Sequence, residues 1–322
     1  MLTKAELETW LRAQWARRGY QLAEGERHGV EVRELVEHSA ERAGARELPY
    51  LDLWILIYDE MLSWVLSLQG VFQIRMKSGR PMGDFEKALF LILARIVADS
   101  ISIRHLILLG FDTSARTLLR STAEYMEMLV AVIDDPPFAS EFLKSDSPAT
   151  AKAFWEKHLR SGRIARRVRA AWRGFATGDT AEDEAAALWF AAWGGQWTEQ
   201  LSSLIHPSMG ACLLTINPPS VKPHGEAWLG HWGDKADFSA ETVYIYAANL
   251  FPLLVVDRKF PFAGFDAAFA EPIPYDPTIE DHRHVKIGRD VLGSLILSLG
   301  QPGNAPHVFP PLDLEGSLHS AD

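Results

Sequence analysis

Residues 85–133 constrain this chain more than any other stretch. They read as two long apolar helices folded back on one another, each carrying charges where a core helix has none. The first arm, FEKALFLILARIVADSISIRHLILLG, is apolar nearly all round, the pattern of a helix buried among others. Its body is interrupted by Arg95, Asp99, Arg104 and His105. Gly110 suits the position just past a helix end, and Asp112, Thr113 and Ser114 offer capping oxygens to the next start. The connection is therefore expected to be short and the arms antiparallel. The second arm, residues 115–133, stops at Asp134-Asp135-Pro136-Pro137.

With the turn centred near Phe111, residues whose numbers sum to about 222 stand at one height, because each residue rises about 1.5 Å along either arm. This register sets Asp99 level with Arg120, and Arg95 level with Glu124 or Glu127. Within the arms, Arg95 and Asp99, Arg116 and Arg120, and Arg120 and Glu124 are each four residues apart and share a helix face. An unpaired ion in such surroundings is strongly unfavourable, so one connected polar cluster is expected. It reads either as a structural ion-pair network that sets register or as a ligand or catalytic site, since both perturb pKa values in the same way.

The remaining composition is that of an ordinary globular chain, with 48% hydrophobic and 23% charged residues among 322. The single cysteine, Cys212, excludes an internal disulfide and a cysteine-cluster metal site, which fits a reducing cytoplasm. The opening MLTKAELETWLRAQW is amphipathic and charged rather than a basic start with an apolar run, so a cytoplasmic location is expected. Segments 51–72 and 88–109 are apolar enough to raise a membrane question. Asp59 and Glu60 divide the first, Arg95 and Asp99 the second, and neither reaches about 18 uncharged residues. No membrane association is expected.

The fold class that follows is all-α: a multi-helix bundle built around a long antiparallel hairpin, with an irregular proline-rich C-terminal region. Residues 1–48 read as N-terminal amphipathic helices, opened by the capping box Thr3-Lys4-Ala5-Glu6. Residues 49–258 read as the bundle core, including a helix over 50–74 and another over 238–256 with Ser239 as its cap and a kink at Pro252. Residues 259–322 read as a proline-rich segment with one helix, 285–299, and a tail. Asp281-His-Arg-His284 groups three potential ligands just before that helix, but no second carboxylate and histidine pair with diiron spacing occurs, and no metal or other cofactor is expected. Asp134-Asp135 invites comparison with terpene cyclases, but the prolines that follow make it a helix end.

Residues 152–173 carry eight Lys or Arg against Glu156 alone, in a chain of net charge −10. Ile164, Val168 and Trp172 form an apolar stripe at helical spacing, leaving Arg160, Arg163 and Arg167 on one flank and Arg166, Arg169 and Arg173 on the other. Such a helix meets phosphate backbones, an acidic partner protein or another copy of this acidic chain, or is simply a solvated face. No base-stacking aromatic motif accompanies the arginines. Further on, Trp189, Trp193, Trp197, Leu201 and Leu204 follow a helical stripe that Pro207 ends. His206 then sits in the last turn, where the negative end of the helix dipole favours its protonated form.

Two helices together suggest a family. AxxLLRSxxEYxxxL, residues 115–129, and LSSLIHPS, residues 201–208, resemble an uncharacterised group of bacterial all-helical proteins, distantly HEPN-like, with Arg-Ser-x-x-Glu and Leu-Ser-x-x-x-His-Pro-Ser motifs. The matching positions are Arg120, Ser121, Glu124, Ser202, His206 and Ser208. HEPN-like relatives include RNA-cleaving toxins and phage-defence proteins, so the resemblance implies a stress or defence role acting on RNA or a nucleotide, with Arg120, Glu124 and His206 at the site. The chain departs from the ribonuclease pattern, in which the arginine and histidine lie four to six residues apart. Arg33 and His38 have that spacing, but on a mixed-charge helix face, and the spacing is short enough to recur by chance.

Three functions stay open. One is the HEPN-like protein acting through Arg120, Glu124 and His206, with Arg163, Arg166, Arg167, Arg95 and Asp99 as binding residues. Another is a non-enzymatic interaction protein, dimeric or docked to an acidic partner through the arginine helix. The third is a small-molecule enzyme with a tryptophan-lined pocket.

Overall fold

A computed structural model describes residues 48–176, 237–256 and 268–299, together with 201–202, 260–262 and positions 9, 10, 13 and 16. Among these residues the fold is an all-α bundle without strands. Its helices are α1 (Leu48–Lys77), α2 (Asp84–Leu108), α3 (Asp112–Asp134), α4 (Phe138–Leu143), α5 (Pro148–Phe154), α6 (Arg163–Ala176), α7 (Asp237–Val255) and α8 (Glu280–Leu299). The expected helices at 50–74, 85–109, 115–133 and 238–256 are α1, α2, α3 and α7, with ends shifted by up to three residues. No helix among the described residues is long and apolar enough to cross a membrane.

α1 buries Leu51, Trp54, Tyr58, Met61, Val65, Leu68 and Phe72, spaced by three or four, and Trp64 and Val71 beside them. A face that wide needs several neighbours, and α2, α7 and α8 all pack on it. α2 and α3 form the antiparallel hairpin, in contact along their length. Gly110 turns the chain in the left-handed region, φ 78°, where a glycine has no Cβ penalty. The Gly110 and Phe111 amides then donate back to the carbonyls of Ile107 and Leu106, at 3.0 and 2.8 Å.

Asp112, Thr113 and Ser114 do not cap α3, because the capping position falls to Phe111 and no side chain bonds there. Asp112 lies inside the first turn, where its carboxylate faces the positive helix end and accepts a hydrogen bond from Ser239 of α7.

The core is pinned by polar groups that bridge helices. Tyr58 of α1 donates to the carbonyl of Ser100 in α2 at 2.8 Å, and the Ser100 hydroxyl lies 2.8 Å from the Tyr246 hydroxyl of α7. The two tyrosine rings are in contact, with centroids 4.7 Å apart. Burial pushes both phenols well above the ordinary tyrosine range, so they stay neutral hydrogen-bonding groups. Arg75 at the end of α1 pairs with Glu86 at the start of α2, and both are buried. The second Glu86 oxygen accepts the amides of Gly83 at 2.8 Å and Ala270 at 3.4 Å. Arg116 of α3 pairs with Glu241 of α7, and its Nε donates to Thr242 Oγ1 at 3.0 Å.

α8, within the proline-rich C-terminal segment, begins one turn earlier than the sequence suggests and docks on α1. Trp64 Nε1 donates to the carbonyl of Val285 at 3.1 Å, and Ser67 Oγ lies 2.9 Å from His284 Nδ1. Gly70 makes the close approach feasible: a Cβ there would stand 2.2 Å from an Asp281 carboxylate oxygen. Asp281 and His284 thus meet α1, while His282 Nδ1 accepts the Asp276 amide at 3.1 Å. Among the described residues no group of three His, Cys, Asp or Glu is arranged to hold a metal ion.

The hairpin register differs from expectation in one respect. Arg95 stands over the ring of Tyr125, 5.6 Å from its centroid, so the helices face each other at about the anticipated height. The cross-hairpin ion pairs are absent. Asp99 takes Arg95 of its own helix at 2.9 Å, and Arg120 takes Glu124 of its own helix at 2.8 Å. Partners four residues apart on one helix already meet without spanning an apolar seam.

Buried and exposed ion pairs should respond differently to truncation. Glu86→Ala is expected to lose about 3–5 kcal/mol by stranding the buried Arg75, whereas Arg95→Ala, whose side chain is 51% exposed, should lose only about 0–1 kcal/mol. Urea denaturation of both variants against the parent measures this, and equal losses would show that burial does not set the difference.

Candidate functional site

One face of α3 carries a row of charged residues that passes from the core to the surface. Arg116, Arg120 and Glu124 occupy successive turns, and their side-chain exposure rises from 5% to 16% to 35%. Arg116 is buried and pairs with Glu241 and Thr242 of α7. Arg120 is half-committed: its Nη2 meets Glu124 Oε1 at 2.8 Å, and its Nε donates to Ser202 Oγ at 3.3 Å. This brings Arg120, Ser121, Glu124 and Ser202, four of the motif positions, to one place, although they come from segments about eighty residues apart.

Glu127 stands one turn further along the same face. Loss of hydration raises its pKa to about 7, the charge of Glu124 adds to the rise, and Arg120 and Arg169 oppose it. Its carboxyl therefore exchanges a proton near neutrality. Asp134, at the end of α3, is also raised by loss of hydration, with Arg167 opposing.

Beside Glu124 the surface opens into a groove of about 330 Å³, near the small end of ligand-binding cavities. One wall is α3, with Ser121, Glu124, Tyr125 and Met128. The other comprises Phe142 of α4, Ser145 after it, Ala151 and Phe154 of α5, and Trp155 and Leu159 of the turn that follows. Glu124 is the only acidic or basic side chain among these lining residues. Arg120 does not line the groove; it acts on it through Glu124.

The second wall explains why the basic segment is not the single helix that its composition suggests. α5 widens into a π-helical turn, Trp155–Leu159, and the chain then breaks at Ser161 and Gly162, both with positive φ (59° and 66°). For Ser161 this conformation costs about 1–2 kcal/mol. The break turns the chain so that α6 runs back against α3, burying Ile164, Ala165 and Val168. The expected stripe at Ile164 and Val168 is present, while Arg160 falls in the break rather than on the helix flank.

The arginines fare differently from one another. Arg163 donates to the carbonyls of Glu156 and Lys157 at 2.7 and 3.0 Å, and Arg166 to that of Ser161 at 2.7 Å. These carbonyls lie at the negative end of the preceding helical turns, which attracts the cations. Both side chains remain exposed, as does Arg160. Arg167 is drawn inward instead, pairing with Asp135 and stacking 4.6 Å from the Phe138 ring centroid.

Lys157 and His158 converge on Glu141, at 2.6 and 2.9 Å, and these two hydrogen bonds hold its carboxyl below the usual range. Arg95 and Asp99 form a separate pair, linked to the groove only by the Arg95 contact with Tyr125.

The charged residues marked in the sequence thus divide. Arg120 and Glu124 meet at the groove, Arg163 and Arg166 lie exposed in the helix that follows the lining segment, and Arg95, Asp99 and Arg167 are occupied elsewhere. His206, Arg33, His38, Cys212 and the tryptophan stripe at 189–197 lie outside the described residues. Trp155 went unmarked in the sequence, where it reads as one apolar position of a basic stretch. Here it is 49% exposed at the groove edge, next to the arginines that carry no aromatic motif of their own. Compared with known protein families, curated proteins and solved structures, the chain matches none. The HEPN-like resemblance is therefore supported only as far as an all-helical architecture.

Glu127 makes stability depend on pH. Its folded pKa of about 7 exceeds the ordinary 4.5, so the stabilisation is complete below about 4.5 and is lost as pH rises through 7. Between those values the contribution falls by up to about 1.4 kcal/mol per pH unit. Glu127→Gln should flatten this slope in urea melts at pH 5, 6 and 7. An unchanged slope would place the titration elsewhere.

Proposed function

We propose that this protein binds RNA or a nucleotide at the groove between α3 and the Phe154–Trp155 wall, with phosphate held by Arg160, Arg163 and Arg166. The observation that carries the reading is an exposed tryptophan and a fixed carboxylate in one groove, bordered by exposed arginines. An aromatic face stacks on any base, a carboxylate accepts base N–H groups, and guanidinium groups take phosphate oxygens. Arg160 directly follows Leu159 of the lining, and Arg163 sits on the carbonyls one and two residues beyond Trp155. Arg163 and Arg166 each use only part of a five-donor fork on the backbone, which leaves donors for an anion.

Binding comes first in this proposal. Arg120 contributes by fixing Glu124, and RNA cleavage is a further step that would draw on His206. A stress or phage-defence role is what the family resemblance adds, and it rests on that resemblance alone.

A second reading has its own support: Arg163, Arg166 and Arg167 all donate to acceptors within the chain, as expected of an arginine face that is structural or docks an acidic protein, including another copy. Fluorescence anisotropy with a labelled single-stranded RNA separates the two. Binding should weaken with salt, and the combined change Arg160→Gln and Arg166→Gln should lower the log–log salt slope by about 0.7 for each phosphate that is no longer neutralised. RNA that fails to bind at low salt, or binds with no salt dependence, would leave the docking reading, which sedimentation of the protein alone tests for self-association. In the same samples, RNA left intact by both the parent and His206→Ala would count against cleavage.

A further inference from the structure

The geometry points to guanine as the base that the groove selects, through Glu124 as hydrogen-bond acceptor and Trp155 as stacking surface. This inference rests on the nucleotide-binding reading above and names the ligand within it.

Glu124 presents a fixed acceptor to the groove. Its Oε1 is held by Arg120 Nη2 at 2.8 Å, which orients the carboxylate beside a permanent cation. An ionised carboxylate only accepts hydrogen bonds. The matching ligand edge must therefore present donors side by side. Among the four common bases only guanine does so, with N1–H next to the N2 amino group. Adenine and cytosine set a ring-nitrogen acceptor beside their amino group, and uracil flanks N3–H with two carbonyls, so each brings a lone pair against the carboxylate.

A simple cation is the obvious competitor for a carboxylate among aromatic rings, and the surroundings disfavour it. Arg120 already neutralises Glu124, and the Arg95 guanidinium already stands over the Tyr125 ring at 5.6 Å, where an incoming cation would bind. The exposed charges next along the chain from Trp155 are Glu156, Lys157, Arg160 and Arg163, so cations outnumber the single acid there. Their net positive charge repels a cation and attracts a phosphate. Trp155, half-exposed at the rim, has an aromatic surface available for a neutral base. Ser121 and Ser145 in the lining add hydroxyls that can donate to the guanine carbonyl or N7.

The test is isothermal titration of the full-length protein with GMP, IMP, AMP, CMP and UMP. IMP keeps N1–H and lacks only the N2 amino group, so the GMP to IMP ratio isolates the paired donors. GMP should bind about tenfold tighter than IMP and tighter still than the other three. Glu124→Gln should reduce the GMP preference to about twofold while binding persists, because one acceptor oxygen becomes a donor. Trp155→Ala should weaken all five nucleotides alike, by about tenfold, with folding checked by urea denaturation.

Equal affinity for all five nucleotides would overturn guanine selection and leave the nucleotide-binding reading intact. Undetectable binding of all five would overturn both. A guanine preference that survives Glu124→Gln would remove Glu124 as its source.

Discussion

Everything in this bundle depends on ionised groups that an apolar helical hairpin cannot hydrate. Taking a charge out of water costs several kcal/mol even after relaxation, so a helix carrying one must find a partner on a neighbour or turn that face outward. Arg116 finds Glu241 and Thr242, Glu86 finds Arg75, and Asp112 finds Ser239. Each of these contacts joins different helices, and Tyr58, Ser100 and Tyr246 tie three helices at once. Such pairs add little net stability over a well-packed apolar replacement. What they do is penalise every other arrangement, because a slipped helix strands a buried ion.

Along α3 the same constraint grades from the core to the surface. Arg116 lies in the dry seam with α7, Arg120 at the margin, and Glu124 at the groove. The farther from the seam, the more of each group's hydrogen-bonding capacity is left for something other than the fold. The opposite wall is built by α4, α5 and the π-helical turn that carries Trp155 at the rim, and the break at Ser161 and Gly162 follows it.

Much of the fold could be read from residue patterns, because those patterns are local. Apolar spacing marked α1, α2, α3 and α7, and Gly110 marked the hairpin turn where only a glycine adopts φ 78° at no steric penalty. The site was half legible. The four-residue spacing of Arg120 and Glu124 on an otherwise apolar arm pointed to a pair, and the pair formed. The expected Asp99 to Arg120 contact did not, since spacing along one helix says which residues share a face but not which way that face points. Trp155 had no signal, because an aromatic in a basic stretch reads the same whether it is buried under the helix or left at its edge.

Residue order alone was enough to establish that the chain is helical, that an antiparallel hairpin lies at its centre, and that charges within it must be neutralised. Periodicity, turn chemistry and desolvation are properties of residue types and short spacings, so no partner had to be known. Which group neutralises which was settled by packing. Arg75 meets Glu86, Arg116 meets Glu241 and Arg120 meets Ser202 where helices and segments come together in three dimensions, and the groove beside Glu124 forms where α4, α5 and the turn after α5 face α3. Those contacts depend on the direction in which each helix faces, which is set by the whole core at once.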